Sequence, residues 1–341
     1  MRAVRLAGKE KVELVCLEAL QPAAGEVLLR ILRCGLCGSD LHAYRGRWAL
    51  PGKLGHEFCA VIEQVGSGVT GLQQGMRVAG ECFAHCGRCE ACRRGAYNHC
   101  ESIAWFPGRP CGALAEFMTY PAGALIPVPE PLTHEQVAMV EPLAVAHHAV
   151  WSARVEAGQS VAVIGGGTIG LLCAAVARVR GASRVFLLAK YPHQGRKAVE
   201  LGIATPLLPA DGPPRERLRQ QTAGRGVDVV LDCVAAGASV STALSLVRAQ
   251  GRVVELGGAA GPVPVLLNPL VDGELTMVGC SCYAATEGRR DFEWAIHLIA
   301  AGSVRPEALI THTFPLPEAA EAFRIAADKK TGSIKVMATM Q

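Results

Sequence analysis

Four closely spaced cysteines have the arrangement of a metal site. Their spacing is C-x2-C-x2-C-x7-C, and two glycines stand where the loop must turn: Cys86, Cys89, Cys92 and Cys100, with Gly87 and Gly95. Thiolates this close in sequence can surround one zinc ion tetrahedrally and leave it no open position, as in a structural site. The loop carries little apolar bulk, so the metal would be its local core. An iron–sulfur cluster stays an alternative on ligand type alone.

A second set of metal-binding side chains is spread over the first part of the chain. Cys37 stands in C-G-S-D-L-H, His56 and Glu57 stand in G-H-E, and Glu141 stands in E-P-L-A. A thiolate, an imidazole and carboxylates from separate segments can converge on one zinc ion that keeps a position for water or substrate. Each residue alone is more typical of a packed side chain. The whole set, together with the four-cysteine loop, indicates a catalytic metal site.

A glycine-rich loop separates a strand from a helix. Gly165, Gly167 and Gly170 form G-x-G-x-x-G directly after V-A-V-I, and a second strand follows the helix. This context predicts a dinucleotide-binding loop: the first glycine makes the turn, the second admits the pyrophosphate and the third lets helix and strand pack. Thr168 and Ile169 open the helix, whose N-terminus favours the phosphate charge.

The end of the second strand bears on the choice of cofactor. Dinucleotide-binding folds that prefer NAD carry an acidic residue there for the ribose 2′-hydroxyl, whereas this chain has Ala189 and Lys190. A cation attracts a 2′-phosphate, and a carboxylate would repel it. We therefore expect NADP to be preferred over NAD, with Lys190 and Arg196 as cofactor-binding residues. The alternative is that these cations face solvent and NAD binds through other contacts.

Composition excludes several classes of protein. Half of the 341 residues are hydrophobic, 19% are charged and the formal net charge is +4. The hydrophobic residues are numerous enough to form two buried cores. The charges are dispersed, without the basic cluster that nucleic-acid binding requires. Residues 1–20 lack the apolar core of a signal peptide, and no apolar run reaches about 18 residues. We expect a cytoplasmic protein without nucleic-acid or membrane partners, whose fourteen cysteines are metal ligands or buried thiols.

The predicted secondary structure changes along the chain, from mainly strands to strands that alternate with helices. Short apolar segments predict strands ahead of a helix that starts at Thr133: residues 26–33, 58–65 and 77–80. After residue 160, strands are predicted at 161–165, 184–188, 206–208, 227–231, 252–256 and 274–279, and helices at 169–180, 195–201, 214–222 and 239–249. Six strands alternating with helices predict a doubly wound parallel sheet. The tail is helical from Asp291 and ends in a strand at 334–338.

Taken in order, these motifs resemble the zinc-containing medium-chain dehydrogenase family over essentially the whole chain. Glu141, where classical alcohol dehydrogenases carry a cysteine, is similar to the sorbitol, galactitol-phosphate and threonine dehydrogenase branch. The resemblance implies an α/β fold: a GroES-like β-rich catalytic domain at 1–150 and 285–341, interrupted by a Rossmann domain at 151–284. It also implies one catalytic and one structural zinc ion per chain. The family commonly forms homodimers or homotetramers, and we expect segment 274–283 to pair across the interface.

The resemblance also implies roles around the catalytic zinc. Cys37 and His56 are zinc ligands, and Glu57 is a ligand in the polyol branch. Glu141 is either a ligand or holds the zinc-bound water, and the sequence does not choose between these roles. Asp40 orients His56 through its other ring nitrogen, with capping of a loop as the alternative.

Proton transfer and substrate contact complete the implied site. Ser39 and His42 resemble the family's proton relay, which carries the alcohol proton to solvent, and His42 suits this because its ordinary pKa is about 6.5. Aromatic side chains are candidates either for substrate contact or for core packing: Trp48, Trp105, Phe106 and Tyr283.

The predicted function is oxidation of a secondary alcohol, a polyol or sugar alcohol, by hydride transfer to NADP or NAD. L-Threonine 3-dehydrogenase, with the same chemistry on an amino acid, is the alternative. A non-catalytic zinc and nucleotide-binding redox sensor belongs to another class, and the intact set of ligand and relay residues argues against it. A zinc-free quinone reductase of the same superfamily would lack both sets of zinc ligands.

Overall fold

The computed structural model describes residues 1–47, 53–259 and 261–340, so the candidate substrate residue Trp48 lies outside the described residues. The chain divides into two compact units, one of Met1–Glu141 with Glu287–Gln341 and one of Pro142–Thr286. No helix in the described part of the chain has the length and apolar character that crossing a membrane requires.

Strands dominate the first segment of the chain. They are β1 (Arg2–Gly8), β2 (Lys11–Cys16), β3 (Glu26–Gly35), β4 (Glu57–Val65), β5 (Arg77–Gly80), β6 (Phe83–Ala84), β7 (Ala104–Trp105), β8 (Phe117–Pro121) and β9 (Leu125–Pro127). Three short helices accompany them: α1 (Gly38–Tyr44), α2 (Glu90–Arg93) and α3 (His134–Ala138). Helix α3 starts at the predicted cap, because Thr133 Oγ1 accepts the Gln136 N–H while the Gln136 side chain accepts the Thr133 N–H.

Strands and helices alternate in the second unit. Helix α4 (Val140–Ser152) leads into it, and the strands are β10 (Ser160–Ile164), β11 (Arg184–Leu188), β12 (Thr205–Leu207), β13 (Val227–Asp232), β14 (Val247–Glu255), β15 (Thr276–Gly279) and β16 (Ala285–Thr286). The further helices are α5 (Thr168–Val179), α6 (Pro192–Glu200), α7 (Pro214–Gln221), α8 (Gly237–Leu246) and α9 (Leu267–Asp272). Six strands form one parallel sheet in the order β12-β11-β10-β13-β14-β15. This confirms the predicted doubly wound sheet.

Two predicted helix boundaries in this unit are wrong. The helix predicted at 239–249 ends at Leu246, because Val247 pairs in parallel with Val227 and begins β14. The helix predicted at 195–201 begins earlier, at Pro192, where proline occupies the first turn and its missing N–H costs nothing. In both places a tertiary pairing or a terminal residue overrides the local apolar pattern.

The last segment completes the sheet of the first unit. It contains β17 (Arg289–Arg290), β18 (Ile310–Pro315), β19 (Lys335–Thr339), α10 (Asp291–Ala300) and α11 (Ala319–Ala327). The sheet order is β18-β19-β3-β4-β5-β9, and β8 also pairs with β3. Gly35, at the end of β3, is in register with Glu57 on one side and Met337 on the other. Strands that are distant in sequence therefore meet beside the predicted ligands.

Candidate active site

The predicted catalytic ligands lie on three segments of the first unit. Cys37 is the N-cap of α1 just after β3, His56 directly precedes β4, and Glu141 lies in the first turn of α4. His56 and Glu141 are only 6% and 5% exposed. Glu141 also acts electrostatically on His56. Glu57 acts electrostatically on both Cys37 and His56, so these side chains share one acid-rich region of the unit. Among the described residues, the ligand atoms within metal-binding distance of one another are those of the four loop cysteines, and Cys37, His56 and Glu141 are not in that group.

Asp40 ties two of these segments to each other. The side chain is fully buried, Oδ2 accepts the Cys37 N–H at 2.9 Å, and Oδ1 accepts the Gly55 N–H at 2.9 Å. The predicted hydrogen bond from Asp40 to the His56 ring is wrong, because both oxygens face backbone amides. His56 Nδ1 is buried and has no hydrogen-bond partner within the described ranges. Asp40 therefore fixes the ligand positions through the backbone, as in the loop-capping alternative.

The site carries an excess of negative charge. Burial lowers the pKa of His56, but Asp40, Glu141 and Glu57 together raise it above its ordinary value. Burial and then Glu57 raise the pKa of Cys37 to about 12. A bound divalent cation reverses this balance and favours the thiolate. The donor set and the unpartnered imidazole nitrogen both fit zinc.

Lys335 is the residue of this site that the sequence interpretation missed. It starts β19 and is 3% exposed, and its Nζ donates to the two carboxylate oxygens of Glu57 at 2.8 and 2.5 Å and to Leu36 O at 3.0 Å. Burial lowers the pKa of Lys335, but Glu57 outweighs this and raises it, so the ammonium stays charged. A Cβ at Gly35 would lie 2.2 Å from Glu57 Oε2. Glu57 is thus held in an ion pair for which Gly35 makes room.

The two relay candidates lie on α1. Ser39 and His42 are three residues apart, which places them on one face of the helix. Ser39 Oγ is buried, and the Ser39 side chain lies close enough to the Cys37 thiol to lower its pKa. Burial, then Arg47 and Arg45, lower the pKa of His42. At neutral pH the imidazole is therefore uncharged and able to accept a proton.

The aromatic candidates differ in their surroundings. The Phe106 ring lies 5.2 Å from the His56 ring, and Phe106 is held at φ 49° by its N–H bond to Cys82 O. Trp105 is 43% exposed and meets Phe83 edge-on at 5.2 Å. Tyr283 is completely buried, which corresponds to the core-packing alternative. Phe106 is the described aromatic residue in contact with a candidate ligand.

The four cysteines of the predicted structural site come together in space. Their sulfur atoms, from Cys86, Cys89, Cys92 and Cys100, all lie within 4.8 Å of one another. The Cys86 and Cys92 sulfurs are 3.9 Å apart, close to the separation of about 3.8 Å that a tetrahedron with Zn–S of about 2.3 Å requires. Backbone N–H groups of Arg88 and Cys89 lower the pKa of Cys86 to about 6. Burial raises the pKa of Cys92 to about 12, and a divalent cation bound between the sulfurs would favour the thiolate form.

The glycine-rich loop has the geometry that its three roles require. Gly165 follows β10 at φ 103°, a left-handed conformation that favours glycine. A Cβ at Gly170 would lie 1.8 Å from Gly165 O, so only glycine lets α5 pack this closely. A Cβ at Gly167, the N-cap of α5, would meet nothing within 4 Å in the described structure. This side is open for a phosphate to approach the helix N-terminus.

The end of β11 lacks an acidic side chain. Ala189 is buried, and the exposed Lys190 places its Nζ 5.6 Å from the Tyr191 ring centroid. Arg196 is exposed on α6. This edge of the second unit therefore carries cationic rather than anionic side chains.

A cluster of four thiols that could hold a metal and a glycine-rich loop between a strand and a helix are together typical of a metal-dependent dehydrogenase. Residues 23–130 match the alcohol dehydrogenase GroES-like domain, and residues 168–301 match the zinc-binding dehydrogenase domain. The chain belongs to the zinc-containing medium-chain alcohol dehydrogenase family. It is an oxidoreductase that uses zinc and a nicotinamide cofactor.

Known proteins similar to this chain include one named for a ketose and one named for a sugar alcohol. D-xylulose reductase A of Aspergillus oryzae is 36% identical over 313 residues, covering 88% of this chain and 86% of that protein. Sorbitol dehydrogenase of Halalkalibacterium halodurans is 32% identical over 323 residues, covering 93% and 92%. A zinc-binding dehydrogenase of Sinorhizobium meliloti 1021, solved with bound NADP, superposes with a TM-score of 0.89 at 29% identity, covering 99% and 98%.

Proposed function

We propose that this protein catalyses reversible oxidation of a secondary hydroxyl of a polyol or sugar alcohol. The observation that carries the proposal is that Asp40 and Glu57 act electrostatically on both Cys37 and His56, in an acid-rich region beside α1 where Glu141 also acts on His56. Relatives named for xylulose and sorbitol support this substrate class over L-threonine.

The side chains of the first unit have separate tasks. A zinc ion held here would supply a Lewis acid that makes a substrate hydroxyl more acidic, and a nicotinamide cofactor would supply the hydride acceptor. Cys37, His56 and Glu141 hold the metal, while Glu57 stays paired with Lys335. Ser39 Oγ takes the substrate proton and passes it towards His42.

The neutral imidazole supports this direction of proton transfer. Because the pKa of His42 is lowered by burial and by two arginines, the ring is uncharged at neutral pH, so it can take up a proton and releases that proton readily to water. Phe106, beside His56, shields the substrate carbon from solvent. Trp105 is the exposed aromatic candidate for contact with the rest of the polyol, and Trp48 is the third candidate of the predicted pocket.

We propose that NADP is preferred over NAD. The absence of an acid at Ala189 and the exposed cations Lys190 and Arg196 support this choice, because a 2′-phosphate gains from charge-assisted contacts. Backbone N–H groups of Gly167, Thr168 and Ile169 at the N-terminus of α5 bind the pyrophosphate.

Each chain is proposed to bind two zinc ions, one in the four-cysteine loop and one at the catalytic cluster. We assign both ions to the predicted catalytic domain, 1–150 with 285–341, and the cofactor to the predicted Rossmann domain, 151–284. Loss of both zinc ions from a variant lacking only the loop cysteines would contradict two independent sites.

We propose a homodimer or homotetramer in the cytoplasm. Strand β15 is an end strand of its sheet, and unpaired strand edges invite pairing with another chain. Exposed apolar side chains lie just before it: Val265, Leu266, Leu267 and Val271. Light scattering should give a multiple of the 35.8 kDa chain mass, and a monomer at micromolar concentration would contradict this assembly.

The function is tested by steady-state kinetics on the zinc-loaded protein. Sorbitol, xylitol, simple secondary alcohols and L-threonine are compared, each with NADP and with NAD. We expect turnover with polyols, and His42→Ala should lower kcat by about 100-fold or more, as for loss of a proton-transfer group. Turnover with L-threonine but not with polyols would refute the substrate class.

A further inference from the structure

The backbone carbonyl of Phe106 is bound by a lysine that has no part in the proposed proton and hydride transfers. Lys53 Nζ donates to Phe106 O at 2.9 Å. Lys53 is half-buried and lies just ahead of β4, whereas Phe106 directly follows β7. The hydrogen bond therefore joins two loops of the first unit that are distant in sequence.

Phe106 has a backbone conformation that its bulky side chain disfavours. Its φ angle is 49°, in the left-handed region that residues other than glycine seldom occupy. The Phe106 N–H donates to Cys82 O at 2.7 Å, which continues the pairing of Phe83 with Trp105. A strained conformation of this kind persists only where the surrounding structure over-determines it. Lys53 supplies a second restraint, on the carbonyl side of the same residue.

The segment that carries Lys53 also carries a predicted zinc ligand. His56 lies three residues after Lys53 in the sequence. Between them, Gly55 donates its N–H to Asp40 Oδ1 at 2.9 Å and accepts the Ala113 N–H at 2.9 Å. Both backbone polar groups of Gly55 are thus engaged, so this short segment has a fixed position.

The hydrogen bond from Lys53 places an aromatic ring beside the imidazole. The Phe106 ring lies 5.2 Å from the His56 ring, with an angle of 57° between the two planes. Because the Phe106 carbonyl is attached to the segment of His56, the two rings keep their relative position. Without the Lys53 ammonium the strained φ angle can relax, and the Phe106 ring then moves away from His56.

We propose that Lys53 is a positioning residue that holds the Phe106 ring as one wall of the substrate site. This inference rests on the proposed polyol oxidation. Lys53 acts through the ring, which packs against the carbon chain of the polyol and transfers no proton. Such packing stabilises the bound substrate and the transition state alike, so its loss raises KM and leaves kcat nearly unchanged.

The first experiment is steady-state kinetics of the zinc-loaded full-length protein with sorbitol and with xylitol. Lys53→Met keeps the length of the side chain and removes the donor. We expect it to raise KM about tenfold, as for loss of a hydrogen bond from a charged group, and to change kcat by less than about twofold. Lys53→Arg, which retains a cationic donor, should restore KM. Lys11→Met, which removes an exposed lysine from β2 of the same unit, is the matched control and should change neither constant.

A double-mutant cycle tests whether Lys53 acts through the ring. Phe106→Ala should itself raise KM, and Lys53→Met added to it should have no further effect, because the wall is already absent. The position of the ring is followed without turnover by incorporating 4-fluorophenylalanine at Phe106 and recording the fluorine NMR spectrum. We expect the same fluorine resonance in the otherwise wild-type chain, Lys53→Arg and Lys11→Met, and a shifted or broadened one in Lys53→Met.

Three outcomes would overturn the role of Lys53. They are an unchanged fluorine resonance in Lys53→Met, a fall in kcat without a rise in KM, and an equal rise in KM when Lys53→Met is added to Phe106→Ala. Absence of turnover of both polyols by the wild-type protein would instead refute the proposed function. The fluorine spectra would then still show whether Lys53 positions the ring.

Discussion

Replacing Lys335 by methionine tests whether its ammonium group balances the negative charge of Glu57 in the catalytic cluster. In Lys335→Met the Glu57 carboxylate, 1% exposed, loses both hydrogen bonds from Nζ, and Leu36 O loses a third. Removing one partner of a buried ion pair costs about 3–5 kcal/mol. We expect the unfolding free energy of the zinc-free protein to fall by about this amount.

Zinc should reverse much of the loss. The released Glu57 carboxylate lies in the same cluster as Cys37, and a cation there would compensate its charge. Zinc should therefore raise the unfolding free energy of the variant by more than it raises that of wild type. When cobalt replaces zinc, the absorption spectrum of the variant should differ from that of wild type, because Glu57 approaches the metal. Glu57→Gln combined with Lys335→Met should recover most of the stability, which a double-mutant cycle quantifies.

The assay is urea unfolding of apo and zinc-loaded protein, together with the visible spectrum of the cobalt form. Arg324→Ala is the matched control, because it breaks an exposed ion pair with Glu321 at 2.5 Å in the same unit and should change nothing measurable. If Lys335→Met is as stable as the control without zinc, and its cobalt spectrum is that of wild type, the ion pair does not hold Glu57.

Three further perturbations test other parts of the structure. Cys92→Ser should remove one zinc ion per chain, measured by elemental analysis, and lower the melting temperature; unchanged zinc content would refute the four-cysteine site. Lys190→Ala should raise the KM for NADP about tenfold, equivalent to about 1.4 kcal/mol, and leave that for NAD unchanged. Burial raises the pKa of Glu81 to about 7 from 4.5. Since the folded form holds this proton more tightly, stability should fall as pH rises from about 4.5 to about 7, by up to about 3 kcal/mol, and a Glu81→Gln variant should lack this slope.

The parallel sheet could be predicted because its strands are continuous apolar segments whose ends are marked by glycine, proline or charge. Its strand at 184–188 matches β11 at both ends. Boundaries failed where the local pattern did not contain the deciding interaction. Residues 247–249 continue a helical pattern, yet pairing of Val247 with Val227 makes them strand. The antiparallel hairpin of β1 and β2 also escaped prediction, because exposed charged residues interrupt its apolar positions.

The four-cysteine cluster and the turn at the loop glycines could be predicted from sequence because their residue types and local spacing are themselves the chemical requirement. Asp40 was located but given the wrong partner, since its hydrogen bonds go to the backbone of Cys37 and Gly55, and no side-chain pattern reports a backbone partner. The role of Phe106 beside His56 depends on a loop conformation with positive φ. Spacing does not encode that conformation.

Lys335 shows what a sequence interpretation needs in addition to motifs. It lies 278 residues from Glu57, within a strand, KVMAT, that is otherwise mostly apolar and has four buried residues in succession. Because a charge in such a strand is costly unless it is paired, this lysine is itself a sign of a buried anion that the sequence interpretation did not use. The cluster of carboxylates around the catalytic site was the matching excess of negative charge. A search for isolated charges in predicted apolar strands, matched with acid-rich sites, would have associated Lys335 with these carboxylates from sequence alone.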